Sequence, residues 1–421
     1  MPHHQLHDHA PEHARVCRLA LSRGWPSNDD QLVNPETRAV HIRHIEPDRS
    51  RPLAVPLYQS SSFAFADADV MAESMSTPDG PFVYTRHHNP TVRTLETAVA
   101  DLEGGVAGLA TSSGMGAINA VLQSHLRTGD HVIAQKRLYG GAHATLHELA
   151  KRFGVALTLI SGDDVDELRA ALRPESKVLY LETLSNPSAY VSDLPGLAAV
   201  AREAGLITVV DNTFASPILC QPLRFGADIV IHSTTKYLAG HSDVIGGLAV
   251  FATSELHHRV WHTAVELGVT ADPFAAWLAI RGLQTLPLRM RRHCDNAEVV
   301  AGKLAAHSAV TAVLWPGLAS HPSHERASRL LSGYGGTFSF DLEGGRDAGR
   351  AFVNRVKLVS LAPSLGGTET VVLHPASTSH RKLDAEALQA VGIGEGTIRI
   401  SVGIEHPDDI WSDLDQALSS P

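Results

Sequence analysis

The chain has 421 residues, 43% of them hydrophobic, which is enough to bury more than one core and to form two or three domains. A net charge of -10, with no basic stripe, excludes a phosphate-backbone binder, and no run of about 18 apolar residues is present to span a membrane. The N-terminus lacks a charged-then-apolar leader, so the expected location is the cytoplasm, and Cys17, Cys220 and Cys294 are spaced for neither a disulfide framework nor a metal site.

In chain order, residues 1 to about 50 are rich in His, Arg, Asp and Pro and read as an irregular arm. His3, His4, His7, His9 and His13 cluster there, but no apolar pattern would hold them as ligands, so no metal site is assigned. Pro52–Phe63 is extended and proline-punctuated, suited to a surface. From Thr91 the spacing of Leu95, Val99 and Leu102 predicts a helix that Gly104 and Gly105 stop. Short apolar runs at His131–Ala134, Ala156–Ile160, Val178–Leu181, Ile207–Val210 and Asp228–Ile231 then alternate with amphipathic stretches such as Leu194–Gly205. Strands separated by helices indicate an α/β fold with a mostly parallel central sheet covered on both faces. Beyond residue 285, longer helices and the alternating run Gly335–Asp341 suggest a smaller α+β C-terminal domain. The expected division is an N-terminal arm over 1–85, a large domain over 86–285 and a small one over 286–421.

Four motifs carry chemistry. Ile229–Ile231 is a buried strand that ends in hydroxyl residues and then Lys236; taken alone such a lysine is most often a solvated surface residue, but this is also where an α/β enzyme puts a Schiff-base lysine. Thr111–Asn119 is a small-residue turn opening an apolar helix; it fits a phosphate cradle and, equally, a plain turn with a serine cap. It is neither a dinucleotide fingerprint nor a P-loop. Asp211 stands at the end of another strand, where a helix cap or a surface loop residue is the usual explanation. Its place 25 residues before Lys236 is a pairing that suits pyridoxal phosphate, lysine for the covalent link and aspartate for the pyridine nitrogen. Tyr139, followed by Gly140 and Gly141, could stack on the ring.

These residues, with the segments Tyr84–Thr91, Ser113–Gly116, Leu138–Gly141, Glu182–Pro187, Asp211–Thr213, His232–Tyr237, Ser364–Gly367, His374–Ser377 and Ile398–Glu405, resemble the transsulfuration group of pyridoxal-phosphate enzymes over residues 52–415. That group includes cystathionine γ-synthase, cystathionine γ-lyase, methionine γ-lyase and the homoserine-ester sulfhydrylases. The resemblance implies the aspartate-aminotransferase-like PLP-dependent transferase fold, fold type I. It implies that Lys236 carries the cofactor and shuttles protons, that Asp211 pairs the pyridine nitrogen, that Tyr139 stacks on the ring and that Asn186 contacts its phenolic oxygen. It further implies that the phosphate takes the amides of Gly114 and Met115 and the hydroxyls of Ser233 and Thr235. Tyr84 and Arg86 would reach the phosphate of a neighbouring subunit, so that a homodimer is the smallest active unit and a homotetramer the expected assembly. Arg399, helped by Ser364 and beside Asn186, would hold the substrate carboxylate.

The implied reaction is γ-elimination or γ-replacement on an L-amino acid with a leaving group at Cγ, such as a thiolate, acyloxy or halide. Cystathionine γ-synthase or homoserine-ester sulfhydrylase activity, and a PLP aminotransferase, stand as alternatives. A non-catalytic, histidine-rich metal-binding scaffold is a third. Three departures bear on specificity: Gly141 where methionine γ-lyases carry cysteine, Pro363 where cystathionine-using members carry glutamate, and His88 where a glycine is usual. Gly141 counts against methionine as the specific substrate, Pro363 favours a compact γ-substituent, and His88 is either a specificity element or a loop substitution; the three together suggest an unusual substrate specificity.

Overall fold

In the computed structural model, residues 34–42, 52–379, 381, 384–390 and 392–419 are described, and the N-terminal histidine cluster lies outside them. A seven-stranded sheet contains β1 (Ala107–Thr111), β2 (His131–Gln135), β3 (Ala156–Ile160), β4 (Ser176–Glu182), β5 (Ile207–Asp211), β6 (Ile229–His232) and β7 (Gly247–Phe251). Their order is β1-β7-β6-β5-β4-β2-β3, and only β7 runs antiparallel to its neighbours. The sheet is therefore mostly parallel, as the alternation of strands and helices predicts. The edge strand β1 and the reversed strand β7 had no counterpart among the apolar runs read from the sequence.

The near-continuous apolar runs of these strands follow from burial on both faces. Leu179, Leu181, Val210, Val230, Leu248 and Val250 enter one core, with Val99 and Leu102 of the helix Pro90–Glu103. Val178, Tyr180, Val209, Ile229, Ile231, Ala249 and Phe251 enter the other, with Ile118 and Val121 of the helix Gly114–His125. Asn89 caps the helix Pro90–Glu103 by accepting from the amides of Thr91 and Val92, and Gly104 ends it in the left-handed region at φ 77°; such a cap contributes about 1 kcal/mol.

A second sheet contains β8 (Val310–Leu314), β9 (Thr337–Leu342), β10 (Ser360–Leu361), β11 (Val371–Leu373) and β12 (Thr397–Ser401), in the order β10-β11-β12-β9-β8. The helix Leu286–Ala305 joins the two parts. Its Leu286 and Met290 sit in the first core, whereas Ala297, Val300 and Leu304 pack with Phe338, Phe340 and Ile400 of the second sheet. Within the arm expected to be irregular, Pro35–Val40 forms a helix, because Ala39 buries against the first core. Among the described residues no helix is long and apolar enough to cross a membrane.

Candidate active site

The carboxyl ends of β2, β4, β5 and β6, where ligands bind in open α/β sheets, border a cavity of about 730 Å³. Strand parity decides which side chains reach it. Tyr180 and Val209 face the core shared with the helix Gly114–His125, so Glu182 and Asp211, two residues further along β4 and β5, project on that same face. His232 has the opposite parity and instead donates or accepts at 2.6 Å with Glu103, inside the other core.

Lys236 follows β6 through the turn Ser233–Thr235, and its Nζ donates to Ser364 Oγ at 2.6 Å. Arg399, on β12, is 9% exposed; its Nη2 donates to the Ser364 carbonyl at 2.6 Å and its Nη1 to Asn186 Oδ1 at 3.4 Å. Ser364 thus receives both cations, one on its hydroxyl and one on its carbonyl. It does so at φ 87°, a region that non-glycine residues rarely enter and that tends to mark functional sites. Burial, followed by the nearby Arg399 charge, pulls the Lys236 amine down to about 8. Near neutral pH a useful fraction is therefore the neutral, nucleophilic amine.

Glu182 and Asp211 are directly paired across β4 and β5. Burial raises both carboxyls, Glu182 well above the ordinary range with Asp211 repulsion added. The Thr213 amide donates to Asp211 Oδ1 at 3.0 Å, and His232 also favours the ionised Asp211. Glu182 Oε1 accepts from the backbone amide of Tyr139 at 2.6 Å, while Oε2 has no partner.

At the opposite lip, Ser113 Oγ accepts from the Gly116 amide at 3.0 Å and opens the helix Gly114–His125. The amides of Gly114 and Met115, in the first turn, have no intrahelical acceptor and suit an anion. A Cβ on Gly114 would lie 2.9 Å from Ser233 Cβ, so the glycine is what lets the helix start and the Ser233–Thr235 turn converge. An amide cradle, hydroxyls of Ser233 and Thr235, an amine, the half-buried Asp211 and the half-exposed ring of Tyr139 all line one cavity. This donor set fits pyridoxal 5′-phosphate.

The structure brings together Gly114, Met115, Tyr139, Asn186, Asp211, Ser233, Thr235, Lys236, Ser364 and Arg399 around this cavity. Tyr84 and Arg86 do not line it: Tyr84 is 43% exposed, and Arg86 Nη1 donates to the Val265 carbonyl at 3.0 Å. His88 is buried away from the cavity, bonded to the Pro81 carbonyl at 2.7 Å and tilted against Phe82, so it props the 76–84 loop. Gly141 explains itself by packing: a Cβ there would meet Tyr139 Cε1 at 2.5 Å and Met115 Sδ at 2.7 Å. Three residues without an assigned sequence role matter. Glu182 is one. Thr213 is another, its hydroxyl accepting from the Ser233 amide at 2.9 Å. Arg289 donates to the carbonyls of Tyr237 and Gly282 at 2.8 and 2.7 Å and so clamps the segment after Lys236. Thr213 was legible as the residue two after a strand-end aspartate, the spacing of an Asx turn; nothing local marked Arg289.

Residues 36–419 match the Cys/Met metabolism PLP-dependent enzyme family. This chain belongs to that family. It is 42% identical over 385 residues to an L-methionine γ-lyase of Fusobacterium nucleatum subsp. polymorphum, covering 91% of this chain and 97% of that protein. The crystal structure of cystathionine γ-synthase from Xanthomonas oryzae pv. oryzae in complex with cystathionine is 43% identical, with a TM-score of 0.86 over 92% of this chain and 98% of that one. A putative O-acetylhomoserine (thiol)-lyase from Campylobacter jejuni subsp. jejuni, solved with a pyridoxyl-lysine monophosphate, is 31% identical, with a TM-score of 0.87 over 92% and 100%. The fold is that of fold type I PLP enzymes, the cofactor is pyridoxal 5′-phosphate, and the chemistry is γ-elimination or γ-replacement on an L-amino acid.

Proposed function

We propose that this family member acts on L-amino acids whose γ-substituent is compact and uncharged, and that it discriminates against cystathionine. One observation carries the reading. Among the described residues lining the cavity, the charged side chains are Lys236, Arg399, Asp211 and Glu182; the first three are accounted for by the cofactor and the α-carboxylate, and Glu182 is buried beside Asp211. The remaining wall includes Leu184, Phe214, Pro363, Leu365, Leu373 and Ile393. Apart from the hydroxyls of Thr213 and Ser379, the distal ammonium and carboxylate of cystathionine would meet apolar surface and no further charged partner among the described lining residues. An unpaired charge against apolar walls is unfavourable. A thioether or an acyloxy group meets no such penalty.

The residues divide the work. Arg399 grips the α-carboxylate with its guanidinium fork, held in place by the Ser364 carbonyl and Asn186. Lys236 Nζ is the proton carrier at Cα and Cβ, kept near that carbon by Ser364 Oγ and tuned to about 8 by burial. Asp211 holds the ring nitrogen, and the amides of Gly114 and Met115 with Ser233 and Thr235 hold the phosphate. The cofactor, when bound, supplies an electron sink for the charge left when the Cα proton departs. Departure of the Cγ group with its bonding electrons would then give, after hydrolysis that releases ammonia, a 2-oxo acid, or a replaced product if a nucleophile adds at Cγ.

Tyr84 and Arg86 complete the phosphate site of a second subunit in this reading, so a dimer is the smallest active unit. The apolar surface of the same arm supports it: Leu53 is 91% exposed, and Leu57, Met71 and Met75 are exposed too. Steady-state comparison of cystathionine, methionine and a homoserine ester tests the substrate reading. At least a tenfold higher kcat/KM for an uncharged substituent is expected, about 1.4 kcal/mol of discrimination; equal or better turnover of cystathionine overturns it.

A further inference from the structure

Glu182 belongs to none of the roles above, yet it is 4% exposed, lines the cavity and leaves Oε2 without a partner. We propose that Glu182 is a positioning residue: a carboxylic acid that keeps its proton, braces the backbone of Tyr139 and leaves Asp211 as the sole anion on the strand ends beneath the ring.

Geometry carries the inference. Glu182 and Asp211 are register partners on adjacent parallel strands, and both side chains reach one buried face. Two anions there would repel at low dielectric, so one carboxyl must stay neutral. The surroundings choose which. Asp211 receives the Thr213 amide and has His232 behind it. Glu182 also has amide neighbours, Tyr139 and Asn186, that favour its ionised form, but among the described residues no cation stands near it as His232 does near Asp211. It faces Asp211 on β5 and the fully buried Tyr180 on its own strand, whose hydroxyl is likewise unpartnered. Across the cavity, Lys236 and Arg399 are engaged by Ser364. Burial pushes both carboxyls up, and Asp211 repulsion adds to the rise at Glu182.

A neutral Glu182 still accepts the Tyr139 amide on Oε1. That contact fixes where the ring of Tyr139 starts, at the head of the helix Gly140–Phe153, whose first turn has no side-chain cap. The acid thus links the residue proposed to stack on the cofactor to the strand that neighbours the residue proposed to hold its nitrogen.

The proposal rests on the cofactor placement given above, and its test is made first on the apoprotein so that the two can fail separately. At pH 7 the wild-type apoprotein should show one buried carboxylic-acid carbonyl band in the infrared that Glu182→Gln lacks. Stability supplies a second readout. An acid whose folded pKa is raised binds more protons folded than unfolded, so wild-type stability falls as pH rises above its unfolded value; Glu182→Gln should flatten that fall by up to one proton. Cofactor titration then separates charge from position. Glu182→Gln should change the Kd less than threefold, whereas Glu182→Ala, or Glu182→Asp should the alanine variant not fold, should raise it tenfold or more. No loss of an acid band, an unchanged slope, or a Gln variant as weak as the Ala variant overturns the proposal. Absence of a pyridoxyl group on Lys236 after borohydride reduction would instead sink the cofactor placement while leaving the infrared result standing.

Discussion

Replacing Arg399 with alanine separates two effects that its position gives it. As the proposed clamp on the substrate carboxylate it makes two charge-assisted hydrogen bonds, each worth about 1.5–3 kcal/mol. Loss of both lowers kcat/KM by roughly 10²–10⁴. The second effect is on Lys236. Burial is the larger cause of its fall from 10.5 to about 8, and the Arg399 charge is the next. Removing that charge, and admitting water to the space it leaves, both favour the ammonium form, so the Lys236 pKa must rise, by roughly one pH unit. The amine then stays protonated to higher pH, and its attachment to the cofactor aldehyde requires a more alkaline solution. Stopped-flow absorbance of apoprotein mixed with pyridoxal phosphate from pH 6 to 10 gives the midpoint directly. A wild-type midpoint near 8 that moves upward in Arg399→Ala is expected. A midpoint that stays put or moves down would falsify the electrostatic coupling between the two residues, whatever happens to turnover.

Arg86→Ala should lose cofactor more readily than Tyr139→Ala, because a charged phosphate contact contributes about 1.5–3 kcal/mol and a ring stack about 0.5–1.5; titrations showing the reverse order contradict this. Mixing Arg86→Ala subunits with Lys236→Ala subunits should restore activity, since each mixed dimer rebuilds one complete site; mixed dimers that form yet stay inactive would show that Arg86 serves its own chain. Arg289→Met should lower stability by about 3 kcal/mol or more in urea unfolding, because the carbonyls of Tyr237 and Gly282 lose their buried donor. A change within 0.5 kcal/mol, the range of roughly neutral substitutions, would mean that water replaces it. Gly141→Cys should weaken cofactor binding here, since its Cβ would displace Tyr139 or Met115; unchanged affinity would show that the Tyr139 ring moves aside freely.

The parts of this protein that could be read from sequence are those whose physics is local. The strand runs of β2 to β6 are apolar and β-branched because both faces are buried, and their ends carry Asp211 and Lys236 in plain view. The edge β1 (Ala107–Thr111) is short and small-residued, and the apolar run Leu248–Phe251 of β7 follows directly on Gly246 and Gly247, which read as a turn and hide where the strand begins. The helix Pro35–Val40 hid for a different reason: one turn and a half offers too few positions for a period of 3.6, and its stability comes from docking Ala39.

His88 shows how a local reading can leave open what a long-range contact decides. Beside Arg86 and Asn89 it reads as a specificity element or, more readily, as a loop substitution. Its partners, Pro81 and Phe82, hold it away from the cavity, and its ring fills the loop interior instead. Glu182 is the converse. In sequence it is one more residue at the end of a strand, and its meaning exists only because β4 and β5 pair Glu182 with Asp211 and the 136–139 loop delivers the Tyr139 amide from 43 residues away. A lysine or an aspartate at a strand end announces chemistry by its own type. A carboxyl that works by staying uncharged is defined by its neighbours, so only the assembled sheet reveals it.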